Sequence, residues 1–158
     1  MKAIRGFTGE YGFLSNFARS RIPFDGTDYP TVEHAFQAAK TTDPAERAKI
    51  AEAPSPHAAK ALGRKVTLRD SWDEYISFDT MRTLLRIKFR DEHLRERLLD
   101  TRHALLVETN SWHDGKWGDC VCGSAQCLAP GTNLLGILLM DVRVECARIE
   151  AGEVFQVR

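Results

Sequence analysis

Between Ile22 and Leu99 the chain is punctuated so closely that it can form little there except a hairpin and a series of short helices. Asp25-Gly26 is a hairpin-turn signal, with Ile22-Pro23-Phe24 leading into it and Asp28-Tyr29 returning. Thr31, after Pro30, is placed to cap the helix of YPTVEHAFQAAK, residues 29–40. Pro44 stands early in a second helical stretch, PAERAKIAEA, where its missing N–H costs little. Ser55-Pro56 opens a third stretch that ends near Gly63. Asp91 begins another short helix through Leu98 and Leu99. The longest helical pattern runs from Asp73 to Arg90, with Met81, Leu84, Leu85 and Lys88-Phe89 at three- and four-residue spacing.

Past residue 100 the pattern changes. Ala104 to Val107, ALLV, is short enough for a buried strand. Trp112 to Pro130 is loop chemistry, with glycines, three cysteines and two of the three tryptophans. A final helix is expected from Asn133 through Met140, and the tail VFQV, residues 154–157, has the composition of a further strand. The expectation is an α+β fold, dominated by helix, with a short hairpin and a small sheet in one domain over residues 1–158. A chain of 158 residues, 43% hydrophobic and 28% charged, is long enough to bury a core and unlike a disordered one. A loop as long as 112–130 inside such a domain is usually functional or disordered.

Several classes are disfavoured at once. No apolar run approaches the roughly 18–20 residues of a membrane span. MKAIRGFTGEYG has no apolar stretch of the secretory kind, so a cytoplasmic location is expected. The charge balance, 22 basic against 22 acidic residues, gives no support for gripping a long duplex through many phosphates. It leaves room for a small basic pocket, for which Arg64, Lys65 and Arg69 are candidates beside the alternative of plain surface solvation. The run Cys120-x-Cys122-x4-Cys127 has the look of a metal knuckle, with His113 as a fourth ligand. Zinc sites more often begin with C-x2-C and a clear second pair, so loop or buried thiols are the expectation and no metal is assigned.

Four stretches carry chemistry that core packing does not explain. In the helix 29–40, Glu33, Gln37 and Lys40 fall within an arc of about 60° at 100° per residue. They lie beside an apolar stripe of Val32, Phe36 and Ala39. Such a polar row lies either at the solvent boundary or on the wall of a cleft. In GFLSNF, Asn16 could read a polar edge of a ligand or simply cap a turn. In LRDSWDE, Trp72 could plug a helix end or offer a stacking face to a base. In VETNSWHDGKWGDC, Glu108 and Asn110 precede Trp112 and Trp117, which flank His113 and Asp114. Aromatic walls with a few acids and amides on a loop are the ingredients of a small-molecule site. No Gly-rich phosphate loop, H-E-x-x-H or nucleophile elbow is present, which leaves Glu33 and Asp114 as the acid–base candidates.

Taken in order, FLSNF, YPTVEHAFQAAK, AKALGRKVTLRDSWD, the run from Met81 to Lys88-Phe89, LVETNSWHDGKWG and GTNLLGILLMDVR resemble the NADAR, or YbiA-like, family from about residue 7 to 143. The resemblance implies an α+β domain that hydrolyses N-glycosidic bonds of ribosylated bases without a cofactor. The implied substrates are early riboflavin-biosynthesis intermediates, ribosylamino-pyrimidine 5′-phosphates, or else ADP-ribose attached to guanine in DNA. It also implies Glu33 as the essential glutamate, Asp114 as the acid before W-G, and Trp72-Asp73 and Trp117-Gly118 as the W-D and W-G pairs. Asn16, Gln37, Lys40, Arg64, Trp112 and Asn133 complete the expected substrate contacts, with Lys40 and Arg64 meeting phosphate. The loop DCVCGSAQCLAPG departs from the family pattern, being longer and richer in cysteine. A module that binds ADP-ribose or a nucleotide and releases it unchanged is the alternative from another class. Release of free base from a ribosylated compound separates the two.

Overall fold

The computed structural model describes residues 2–153. The tail 154–157, expected to add a strand, and the side chain of Asp73 lie outside the described residues. In chain order the elements are β1 (Ala3–Arg5), β2 (Arg19–Phe24), β3 (Thr27–Thr31), α1 (Val32–Ala38), α2 (Pro44–Ala51), α3 (Pro56–Gly63), α4 (Ser77–Lys88), α5 (Glu92–Asp100), β4 (Leu105–Val107), β5 (Thr109–Asn110), β6 (Asp119–Cys120) and α6 (Leu134–Glu150). The fold is α+β and helix-dominant, with three two-stranded sheets among the described residues. Among the described residues no helix is long and apolar enough to cross a membrane.

The chain divides into two compact units, one continuous over residues 16–88 and one made of the first fifteen residues with everything from Phe89 onward. In the continuous unit β2 and β3 form the hairpin, antiparallel, with Phe24 opposite Thr27 and Ile22 opposite Tyr29. Asp25 and Gly26 both take positive φ, 50° and 77°, the pair of left-handed residues a tight hairpin turn demands. The three following helices start where their caps were expected. Thr31 Oγ1 accepts the His34 N–H, the Asp43 carboxylate accepts the Ala45 and Glu46 N–H groups, and Ser55 Oγ accepts the Ala58 N–H. Helix α1 is the centre of this unit, packed against α2, α3, α4 and the hairpin, and all seven of its residues are buried. Ser71, left-handed at φ 57°, leads into a single π-helical turn, Trp72–Ile76, that feeds α4.

The discontinuous unit pairs β1 with β4 in parallel, Ile4 against Leu106, and β5 with β6 in parallel, Asn110 against Cys120. Helix α6 packs on β4 and α5. It begins close to the expected Asn133 but runs ten residues beyond Met140. Leu135, Leu138, Leu139, Val142 and Cys146 keep one face buried through the charged DVR segment. Arg143, on the same helix, is buried. Its guanidinium donates to Thr101 Oγ1 at 2.7 Å and to the Ala104 carbonyl at 3.0 Å. Burial lowers the pKa of this guanidinium from its ordinary value. Where α6 crosses β4, a Cβ on Gly136 would lie 2.1 Å from the Leu106 carbonyl oxygen, so only glycine permits that approach.

Candidate active site

The residues expected at the site fall into two groups, one on each unit. In the continuous unit Glu33 is 5% exposed and Gln37 3% exposed. The polar stripe of α1 is therefore not a solvated face. The position of Glu33 follows from the helix start: its N–H donates to the Asn16 carbonyl at 3.0 Å, and the next N–H, of His34, goes to the Thr31 cap. Two of the helix's orphan donors are thereby satisfied, and the backbone under the carboxylate is fixed from both sides. Gln37, one turn on, donates from Nε2 to Glu33 Oε1 at 2.7 Å. The other end of that amide, Gln37 Oε1, is buried and accepts no hydrogen bond among the described residues, and the same holds for Asn16 Oδ1. Buried acceptors without a donor are uncommon and costly, and they mark places where a ligand or water is expected to donate. Gly63 sets the Gln37 rotamer, because a Cβ there would stand 2.0 Å from Oε1.

His34, for which the sequence offers no metal or triad spacing, holds the first turn of α1. It is 2% exposed, and its Nε2–H donates to the Ala53 carbonyl at 3.1 Å. Nδ1 then accepts the Thr31 hydroxyl at 2.8 Å, which fixes the neutral tautomer. Desolvation lowers the His34 pKa, partly offset by the Ala53 hydrogen bond. The unfolded chain, with an ordinary histidine near pH 6.5, then takes up a proton that the folded chain refuses. Stability contributed by the neutral ring is present above that pH and is lost as pH falls below it. Urea midpoints measured at pH 7.5 and 5.5 should drop more for the wild type than for a His34→Asn variant. Equal drops would remove His34 as the cause.

Lys40, just past α1, is half-buried, with Nζ 5.9 Å from the Phe36 ring centroid. Its carbonyl accepts the Arg69 N–H at 2.7 Å. Arg64 is exposed and is the residue that caps α3. Trp72, one of the two rings expected to stack on a base, is 3% exposed and packs against Phe36, with centroids 5.2 Å apart at 53°.

In the discontinuous unit, Asn110 organises the loop. It is buried, donates from Nδ2 to the Asp114 carbonyl at 2.8 Å, and accepts from the Trp112 and Asp114 N–H groups at 3.3 and 3.1 Å. Asp114, expected to act on the substrate, spends Oδ1 on its own turn. It accepts the Lys116 and Trp117 N–H groups at 3.1 and 2.9 Å. Its visible work is to shape the W-G turn. Asn133 and Gly118, expected as substrate contacts, are also accounted for by architecture. Asn133, at φ 51°, accepts the Glu108 N–H and donates to the Leu106 carbonyl, so both ends of its amide are engaged. A Cβ on Gly118 would come within 2.6 Å of the Glu108 carbonyl oxygen. Trp117 is half-buried with Lys116 Nζ 5.8 Å from its centroid, while Trp112 is 56% exposed. The tryptophan most open to a planar ligand is therefore Trp112.

The same loop gathers His113, Cys120, Cys122 and Cys127, whose ligand atoms all lie within 4.8 Å of one another. The Ser124 hydroxyl, 3.1 Å from Cys122 Sγ, and the Ser124 N–H pull the Cys122 thiol down to about 6. Cys127, hydrogen-bonded to the Cys120 sulfur, is pushed up to about 11. The roles of Asn110, Asn133 and Gly118 as supports were not legible from spacing, since an Asx turn and a close backbone approach leave no periodic signal.

Comparison with known proteins shows the family. A model of the NADAR domain matches residues 6–147. The N-glycosidase YbiA of Escherichia coli (strain K12) is 41% identical over 141 residues, covering 87% of this chain and 83% of that protein. The N-glycosidase Npun_R5314 of Nostoc punctiforme is likewise 41% identical over 141 residues, 85% of each chain. The riboflavin biosynthesis protein VVA0006 of Vibrio vulnificus is 36% identical over 137 residues, which span 85% of this chain but 35% of that protein. Among solved structures, the NMR structure of E. coli YbiA superposes with a TM-score of 0.81 at 36% identity, over 99% of this chain and 92% of that one.

Proposed function

The chain belongs to the NADAR family, and from that premise we propose that it is an N-glycosidase hydrolysing the C–N bond between a ribosyl C1′ and a base. The observation that carries this reading is Glu33, a buried carboxylate held at its backbone by Asn16 and at Oε1 by Gln37, two residues whose buried side-chain oxygens have no donor among the described residues. Cleavage of such a bond passes through an oxocarbenium-like sugar, by analogy with O-glycosidases. A carboxylate in a poorly hydrated site stabilises that cation and accepts a proton from the attacking water. The water oxygen bonds to C1′, the C–N bond breaks, and the departing nitrogen receives a proton. Asn16 Oδ1 and Gln37 Oε1 suit ribose hydroxyls, which donate. No part of this scheme needs a redox cofactor. The family match takes in residues of both units, which supports reading the chain as one functional domain.

The finer reading is a ribosylamino-pyrimidine 5′-phosphate as substrate, giving ribose 5-phosphate and a free pyrimidine in the cytoplasm. It is supported by the riboflavin-biosynthesis name of the Vibrio relative and by the half-buried cation Lys40 just past the Glu33 helix. A balanced net charge gives no footprint for a nucleic acid. ADP-ribosylated guanine in single-stranded DNA is the competing substrate. One enzyme preparation offered both, with released base followed by chromatography, orders them. Faster cleavage of the DNA adduct would replace the metabolite, and binding of both with no released base would replace the enzyme by a binding module.

Phosphate recognition has its own test. Lys40→Ala should weaken binding of ribose 5-phosphate by about tenfold or more, the worth of a charge-assisted hydrogen bond at about 1.5–3 kcal/mol. The salt dependence of binding should flatten in the same variant. Unchanged affinity at two ionic strengths would take Lys40 out of the phosphate site.

A further inference from the structure

We infer that His113 Nδ1 and the sulfurs of Cys120, Cys122 and Cys127 form a structural zinc site that fastens the loop between β5 and α6. Nδ1 lies 3.3 Å from Cys127 Sγ and 3.4 Å from Cys122 Sγ, and all four atoms fit within 4.8 Å. A tetrahedral ion with Zn–S near 2.3 Å and Zn–N near 2.0–2.1 Å spaces its ligands about 3.6–3.8 Å apart. The observed separations bracket that tetrahedron, so closing on an ion needs only small side-chain shifts.

The backbone explains why C-x-C, rather than the commoner C-x2-C, can serve here. Cys120 is held in β6 by its register with Asn110, and the Val121 N–H donates to the Asn110 carbonyl. Gly123, at φ 77°, turns the chain just after Cys122, and the Ala125–Cys127 turn of 3-10 helix brings back Cys127. His113, itself left-handed at φ 68°, supplies the fourth ligand from the other side of the loop. The Ser124 N–H lies 3.5 Å from Cys122 Sγ, the kind of N–H···S support that orients a thiolate ligand. A disulfide between any two of these sulfurs would give the imidazole and the third thiol no role, and all three are free thiols.

Thiolate and imidazole donors in a tetrahedral set select zinc over magnesium or calcium. Four protein ligands leave no position for water, which makes the ion structural rather than a Lewis acid. Zn²⁺ joins three thiolates and a neutral imidazole, and the sulfurs that still carry a proton release it to solvent on binding. The ion sits between two residues that matter to the loop. Trp112 precedes His113, and Asp114, which caps the W-G turn, follows it. Fastening His113 to β6 therefore fixes the exit direction of both. The zinc assignment does not depend on the glycosidase reading.

The test is metal content. The full chain, purified under reducing conditions, stripped with a chelator and reloaded with zinc, is passed through a desalting column and analysed by mass spectrometry of the metal. One zinc per chain is expected in the wild type and in Cys146→Ser, whose thiol lies in α6 outside the cluster. A Cys122→Ser/Cys127→Ser variant, checked for folding by circular dichroism, should retain none. Cobalt titration of the stripped wild type gives a second reading that needs no variant: thiolate charge-transfer bands and the strong visible absorption of a tetrahedral ion are expected. Zinc retained by the double variant, absence of zinc in the reloaded wild type, iron bound in preference, or an octahedral cobalt spectrum would each overturn the assignment.

Discussion

Replacing Glu33 by Gln is expected to lower turnover of a ribosylated base by about 10²–10⁴-fold while leaving the fold intact. The substitution keeps the shape of a side chain that is 5% exposed and anchored at both ends, so stability should change little. What it removes is the negative charge facing the oxocarbenium-like sugar and the acceptor for the water proton. The loss should therefore fall on kcat, with KM for the intact substrate changed much less, since the interaction is made chiefly in the transition state. Steady-state kinetics on a competent substrate, with urea unfolding of the same preparation, reads both quantities. Turnover within a few-fold of wild type would end the assignment of Glu33 as the catalytic carboxylate.

The second large effect is on stability. Trp72→Ala should cost about 3–5 kcal/mol, the usual range for deleting a buried large aromatic. Against a typical total of about 5–15 kcal/mol, such a loss leaves the chain partly unfolded at 37 °C if its stability is ordinary. The ring is 3% exposed and meets Phe36, which itself stands on the helix of Glu33 and Gln37. Trp72→Phe, which keeps an aromatic against Phe36, should recover most of the loss. A base-stacking Trp72 would behave otherwise: the alanine variant would unfold at the wild-type urea concentration and lose only affinity. Paired unfolding and binding curves for both variants separate the outcomes.

These two residues also show what a sequence can and cannot disclose. Caps and turns are local chemistry, and Asp25-Gly26, Thr31, Ser55 and Asp91 each start or turn an element where their side chains demand it. Glu33 was legible as part of a polar row, because helix geometry alone puts it beside Gln37. Trp72 was not, since a tryptophan among charges reads the same whether its neighbours turn toward it or away. The β1–β4 pairing was equally hidden: Ala3-Ile4-Arg5 is too short to carry a period, and its partner lies far along the chain. Helix α6 runs on to Glu150 because Val142 and Cys146 continue its buried face past the charged DVR segment, where the apolar run in the sequence has ended. The hydrogen bonds of Asp114 to its own loop and of Asn133 to the β4 edge were also hidden, since neither leaves a periodic trace in the sequence.

The division of the chain carries a consequence for its synthesis. Residues 16–88 form a compact unit that is continuous in sequence, so it can collapse while later residues are still being made. The segment Ala3–Arg5 is translated before its partner strand, Leu105–Val107, and must wait, unpaired, for it. A parallel pairing across so long a loop is slow to close on entropic grounds. During that interval a short apolar strand edge is open to other chains. The residues flanking Ile4 are Ala3 and Arg5, and the arginine beside this early strand supplies the charge that discourages mispairing until β4 arrives.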